Sequence, residues 1–176
     1  MRPAFALVTP CILALLLALC APLRAAELRL DDYHAPTPVE IPGARVVSTH
    51  ELRALLQEPL ARRPLLFDVL GEEPHASLPG AIWLPGAGRG TSFDDAVQAR
   101  LAETLAAAAR ADPSRALVFF CVSEDCWLSY NAALRAVRLG YRNVLWYRGG
   151  IEAWGRSGGR LEPPRMAWRP EREAGR

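Results

Sequence analysis

The chain has 176 residues, 51% of them hydrophobic, which is enough for one ordinary α/β domain with flanking segments. Its formal net charge is only +2, with the basic residues scattered, and this excludes a nucleic-acid surface built on a basic patch. No nucleotide-binding glycine loop, Ser-His-Asp arrangement or multi-ligand zinc site stands in the sequence. His34, His50 and His75 occur singly, so neither a cofactor nor a metal is expected.

Residues 1–26 have the order of a secretory signal peptide: a cationic start at Arg2, an apolar run from Cys11 to Cys20, then small residues to Ala25 and Ala26. That run falls short of the roughly 18 residues that a spanning helix needs. Leu19 before Cys20 disfavours lipid attachment at that cysteine, because cleavage favours a small side chain just before the cut. Cleavage after Ala25 or Ala26 leaves Cys121 and Cys126 alone, in an oxidising compartment and without a stable membrane anchor. The expected location is the periplasm.

Residues 27–44 form a proline-rich arm, either laid on the domain or left loose. Ser48-Thr49-His50-Glu51 has capping-box spacing and opens a short helix carrying Leu52, Leu55 and Leu56. Leu65 to Val69 reads as a buried strand, and Ala81 to Leu84 as a shorter one. Helical spacing of Phe93, Val97, Leu101 and Leu105 runs from Ser92 to Arg110. Ala116 to Phe120 is the most strand-like segment, a helix from Trp127 or Ser129 to Leu139 stops at Gly140, and Val144 to Tyr147 is a further strand. Such alternation predicts an α/β fold, a mostly parallel central sheet flanked by helices, with ligands beyond the carboxyl ends of its strands. The domain spans 45–158, and residues 159–176, rich in Arg, Glu and Pro, are expected to be a mobile tail.

Cys121 falls at that sheet edge, in a loop running Val122-Ser123-Glu124-Asp125-Cys126-Trp127 into a helix. Free backbone N–H groups and the positive end of a helix dipole favour thiolate there, while Glu124 and Asp125 oppose it. A structural disulfide, redox or persulfide chemistry, soft-metal binding and simple burial of Cys121 all remain open for these cysteines. Asp68 either supports the cysteine loop by accepting N–H bonds or caps a turn. Arg89 is a possible support from a glycine-flanked loop, and Arg148 is the other arginine able to reach the site. Trp127, Trp146 and Trp154 read as packing residues.

In order along the chain, Phe67-Asp68-Val69, Leu78-Pro79-Gly80-Ala81-Ile82, Val118-Phe119-Phe120-Cys121, Ser129, Ala132-Ala133, Gly140 to Val144, Gly149-Gly150 and Trp154 resemble the rhodanese family. The resemblance covers roughly 46–158 and implies a single rhodanese-like domain with Cys121 as its active cysteine. Sulfur-transferring members usually carry Cys-x-x-Gly-x-Arg-Ser, whereas Glu124 stands here at the glycine position and Cys126 at the arginine position. Cys126 to Ala133, Gly80 to Gly90 and Asn143 to Tyr147 are similar to the exported CXXCW subgroup associated with catabolism dependent on pyrroloquinoline quinone, although four residues separate the cysteines here.

That resemblance implies a periplasmic accessory of alcohol oxidation, with periplasmic proteins as partners or a small sulfur or thiol compound as substrate. Cys121 would be the nucleophile and Cys126 its resolving partner, with the backbone N–H groups of Val122 to Trp127 stabilising negative sulfur. The alternatives are a non-catalytic accessory module with a structural loop disulfide and, more weakly, a thiosulfate sulfurtransferase. Five extended residues span about 17 Å, whereas a disulfide needs Cα atoms within about 7 Å, so pairing requires the loop to curl as rhodanese loops do. The expected bond is reversible and opens without unfolding the domain.

Overall fold

The computed structural model describes residues 27–71 and 74–169. The expected signal peptide over 1–26 and the end of the expected tail, 170–176, lie outside the described residues. In chain order the elements are β1 (Arg45–Val46), α1 (Thr49–Gln57), β2 (Leu65–Asp68), β3 (Ile82–Trp83), α2 (Ala96–Ala108), β4 (Leu117–Phe120), α3 (Trp127–Arg138), β5 (Val144–Trp146), α4 (Gly150–Arg156) and β6 (Arg165–Met166). The six strands among the described residues pair in the order β1-β5-β4-β2-β3-β6, every pairing parallel.

The unbroken apolar runs of β2, β4 and β5 follow from this topology, since a parallel sheet between helix layers buries both faces. Phe67, Leu117, Phe119, Val144 and Trp146 fall in one apolar cluster, with Leu101 and Leu105 of α2 and Leu128, Ala132, Ala133 and Ala136 of α3. Leu66, Val118, Phe120 and Leu145 fall in the other, with Leu52 of α1 and Ile151 and Trp154 of α4. Phe67 and Phe119, opposite one another on β2 and β4, stack with centroids 5.1 Å apart.

Local chemistry sets the helix ends. Ser48 forms the expected capping box with Glu51. The helix expected from Ser92 begins only at Ala96, because the Asp95 carboxylate collects the N–H groups of Thr91, Ser92 and Gln98 and so builds a capping turn from the preceding residues. At the end of α3, Gly140 (φ 92°) donates to the Val137 carbonyl and Tyr141 to that of Ala136, the paired bonds of a Schellman stop.

Two flanking segments belong to the folded body. The arm is laid on the domain, with Ile41 buried in the first apolar cluster. Residues 159–169 correct the expectation of a mobile tail: β6 extends the sheet beside β3, and Ser77 and Glu162 bridge. Trp168 anchors the segment, 3% exposed, donating from Nε1 to Thr104 Oγ1 at 2.8 Å with the Arg100 guanidinium 4.3 Å from its ring centroid. One buried tryptophan and an edge pairing hold a segment whose average composition is polar.

Candidate active site

Cys121 leaves the carboxyl end of β4 and Cys126 is the N-cap of α3. The loop between them curls until their Cα atoms are 6.1 Å apart, and the sulfurs are joined in a disulfide. Both residues are buried, at 0% and 1% exposure.

Three parts of the chain hold this loop. From below, the first turn of α4 donates Ile151 N–H to the Cys121 carbonyl at 3.0 Å and Glu152 N–H to that of Val122 at 2.9 Å. Gly150 makes the approach feasible, for its φ is 61° and a Cβ there would lie 2.4 Å from the Cys121 carbonyl oxygen. Within α3, Ser129 Oγ donates to the Cys126 carbonyl at 3.2 Å and accepts from Trp146 Nε1 at 3.0 Å, tying the loop exit to β5.

From above comes the arm. Trp127 N–H donates to the Tyr33 carbonyl at 2.9 Å, and Thr37 donates both its N–H and its hydroxyl to the Glu124 carbonyl. Arg148, just after β5, clamps the two together: Nε donates to Thr37 Oγ1 at 3.0 Å, one terminal nitrogen to the Thr37 carbonyl at 3.0 Å, and the other to the Glu124 carboxylate at 2.8 Å. Farther along, Asn131 grips the Arg29 peptide from both sides, accepting its N–H at 2.9 Å and donating to its carbonyl at 2.7 Å.

The backbone N–H groups expected to face sulfur are therefore partly committed elsewhere. Trp127 N–H goes to the arm, and Asp125 N–H goes to Ser123 Oγ at 3.3 Å. The Trp127 indole N–H is buried without a partner among the described residues, while its ring meets Tyr130 edge-on. Glu124 is not the bare anion that the sequence suggests, because Arg148 neutralises it.

Neither expected supporting residue bonds to the loop. Asp68, fully buried, accepts from Leu70 N–H at 2.9 Å, from the Ser77 hydroxyl, and contacts His75 Nε2 at 2.7 Å, so it organises the turn after β2. Arg89 lies over the Tyr33 ring at 5.6 Å and thus reaches the arm. Sequence reasoning missed Tyr33, Thr37 and Asn131. The first two act mainly through backbone or a single hydroxyl, and only Asn131, a carboxamide amid the apolar face of α3, left a visible signal.

Among solved structures, a thiosulfate sulfurtransferase from Pseudomonas aeruginosa is similar with a TM-score of 0.50 and 22% identity over 70% of this chain, which spans 21% of that chain's length. A full-length protein from Lactobacillus plantarum is similar with a TM-score of 0.50 and 19% identity, over 67% of this chain and 87% of that one. Both likenesses are of fold. No curated protein matches the chain. Residues 48–157 match the family described as the rhodanese-like domain, and that span contains β2, β4, the cysteine loop and α4. The chain belongs to the rhodanese-like domain family.

Proposed function

We propose that this protein is a periplasmic rhodanese-like protein whose Cys121–Cys126 pair cycles between disulfide and dithiol, in thiol–disulfide exchange accessory to alcohol oxidation dependent on pyrroloquinoline quinone. The observation that carries the redox part is the second cysteine: it stands in the active-cysteine loop of a rhodanese-like domain and is bonded to Cys121. A sulfur-carrying rhodanese cysteine needs its thiol free, and here that thiol has an intramolecular partner at the mouth of a helix. The periplasmic and alcohol-oxidation parts rest on the signal-like residues 1–26 and on the likeness of Cys126 to Ala133 to the CXXCW subgroup.

In this reading a substrate thiolate attacks Cys121 Sγ, the S–S bond breaks, and Cys126 leaves with the electron pair as thiolate. A second substrate thiol then attacks the substrate sulfur of the mixed disulfide and releases Cys121. Two substrate thiols become a disulfide, the protein disulfide becomes two thiols, and the protons pass from the former to the latter. Titrating free thiols of the mature protein across a graded glutathione buffer tests this. Two thiols that appear together at a defined potential support it, and a pair that opens only with denaturation sinks it. That second outcome would favour the structural-disulfide accessory module, a reading supported by the complete burial of both cysteines.

A further inference from the structure

Beside the carboxyl end of β3 lies a cavity of about 130 Å³, the liquid volume of about four waters. Three stretches distant in sequence build it: Pro85 and Arg89 from the turn after β3, Val97 and Arg100 from α2, and Trp168 from the segment after β6. Its place is the sheet edge at which Cys121 also stands, where open parallel sheets collect ligands. Both arginines are held by their faces. The Arg100 guanidinium lies 4.3 Å from the centroid of the Trp168 ring, and that of Arg89 lies 5.6 Å from the centroid of Tyr33. Trp168 is fixed in turn by its bond to Thr104 Oγ1. The Arg89 backbone is fixed by the Gly86 carbonyl, which accepts its N–H at 2.9 Å, and by Arg135, which donates to its carbonyl at 2.7 Å. Stacking uses the face of a guanidinium and leaves its fork of N–H donors in the plane. Among the described residues neither fork is paired with a carboxylate. Asp95, the N-cap of α2, is paired with Arg135 instead, so it does not cancel their charge.

We infer that this cavity is a binding site for a small organic carboxylate, held by the forks of Arg89 and Arg100 with its short hydrocarbon body against Pro85 and Val97. A planar carboxylate matches a planar fork with two parallel hydrogen bonds, which a spherical anion such as chloride does not. The remaining wall is carbon, from Pro85, Ala96 and Val97. Phosphate or sulfate would turn oxygens toward that wall where it offers no side-chain donor, and unpaired polar atoms are costly to bury. The volume limits the occupant to about four to six non-hydrogen atoms, which rules out a nucleotide or a peptide. The site uses no sulfur, so it stands or falls independently of the exchange chemistry proposed above.

The test is a titration of the mature protein with propionate at constant ionic strength, followed by nuclear magnetic resonance of the arginine Nε–H and tryptophan indole N–H signals. Propionate is expected to saturate in about the millimolar range, moving the signals of Arg89, Arg100 and Trp168 along one curve. Propanol, which has the same hydrocarbon body without the charge, should leave them in place, and phosphate should bind more weakly than propionate. Arg89→Gln and Arg100→Gln should each weaken propionate about tenfold, the scale of one charge-assisted hydrogen bond. Arg89 is exposed, so its variant keeps the fold and keeps the test decisive even where Arg100→Gln loosens Trp168. Arg100→Lys retains the charge but loses the fork and should also bind propionate more weakly. A lysine variant of full affinity would show that charge alone draws the anion and would overturn the inference. So would shifts that never saturate, shifts that spare these three residues, or phosphate bound as tightly as propionate.

Discussion

Cys121 and Cys126 sit in unlike places. Cys126 is the N-cap of α3 in extended conformation (φ −112°, ψ 103°), at the positive end of the helix dipole. Cys121 follows the carboxyl end of β4, away from any helix start, and both cysteines are buried in the same apolar cluster. In a Cys121→Ser chain the Cys126 thiol is expected to be alkylated faster than the Cys121 thiol of a Cys126→Ser chain, because only Cys126 stands at the start of a helix. Alkylation rates across pH measure both, and a reversed order would contradict the placement. A second residue prediction concerns Asp95. Burial pushes its carboxyl pKa up, but the Arg135 guanidinium and the N–H groups of Gln98, Ser92 and Thr91 overcome this and bring it down to about 2. Because the folded value lies below the unfolded one of about 4, its stabilisation is present above pH 4 and disappears as pH falls through about 2. Asp95→Ala would leave the fully buried Arg135 without its carboxylate and is expected to cost about 3 kcal/mol in urea unfolding at neutral pH.

Among the elements, those with clear periodicity were legible in the sequence: β2, β4, β5, α1, and α3 with its glycine stop. Helix α4 was not, since its seven residues include two glycines and two charges and show no repeating stripe. The structure explains its Gly149-Gly150 start, because the first turn of α4 reaches the carbonyls of Cys121 and Val122 only where no Cβ intervenes. Gly150→Ala is expected to lower stability by about 1–3 kcal/mol through the left-handed backbone alone, and by more if the α4 contact opens. Circular dichroism through a urea gradient reads the loss, and an unchanged midpoint would show that the approach can relax. The loop itself bears on thiosulfate. Residues 122–127 contain no arginine, and Arg148 is committed to Glu124 and Thr37, so thiosulfate:cyanide transfer is expected to be weak even after reduction. Installing arginine by Cys126→Arg together with Glu124→Gln and Asp125→Asn should raise it about tenfold, the scale of one charge-assisted hydrogen bond. Strong transfer by the natural chain would overturn the electrostatic argument.

On the scale of the whole molecule, the sheet and the position of the cysteine pair could be read from alternating apolar segments, whereas the arm and the segment after α4 could not. Main-chain bonds carry no signature in composition, and a lone anchor such as Ile41 or Trp168 makes no periodic pattern. These two segments settle how much of the fold depends on the disulfide. The two apolar clusters lie on opposite faces of a six-stranded sheet, and β2, β4 and β5 pair through residues that precede the cysteine loop or follow α3. In the chain-entropy account, closing so short a ring constrains the unfolded chain by only about 2 kcal/mol. A domain of this size is ordinarily stable by about 5–15 kcal/mol, so the reduced form should stay folded. The loop carbonyls of Cys121, Val122, Glu124 and Cys126 are held by α4, the arm and Ser129, through bonds that do not involve the sulfurs. Urea unfolding of the oxidised protein, of the protein held in excess reductant and of a Cys121→Ser, Cys126→Ser chain should then give one cooperative transition each. The last two should have similar midpoints, and both should lie below the oxidised midpoint by the equivalent of about 2 kcal/mol. Loss of the transition in reductant would mean that the bond holds the fold together, and the pair would be structural.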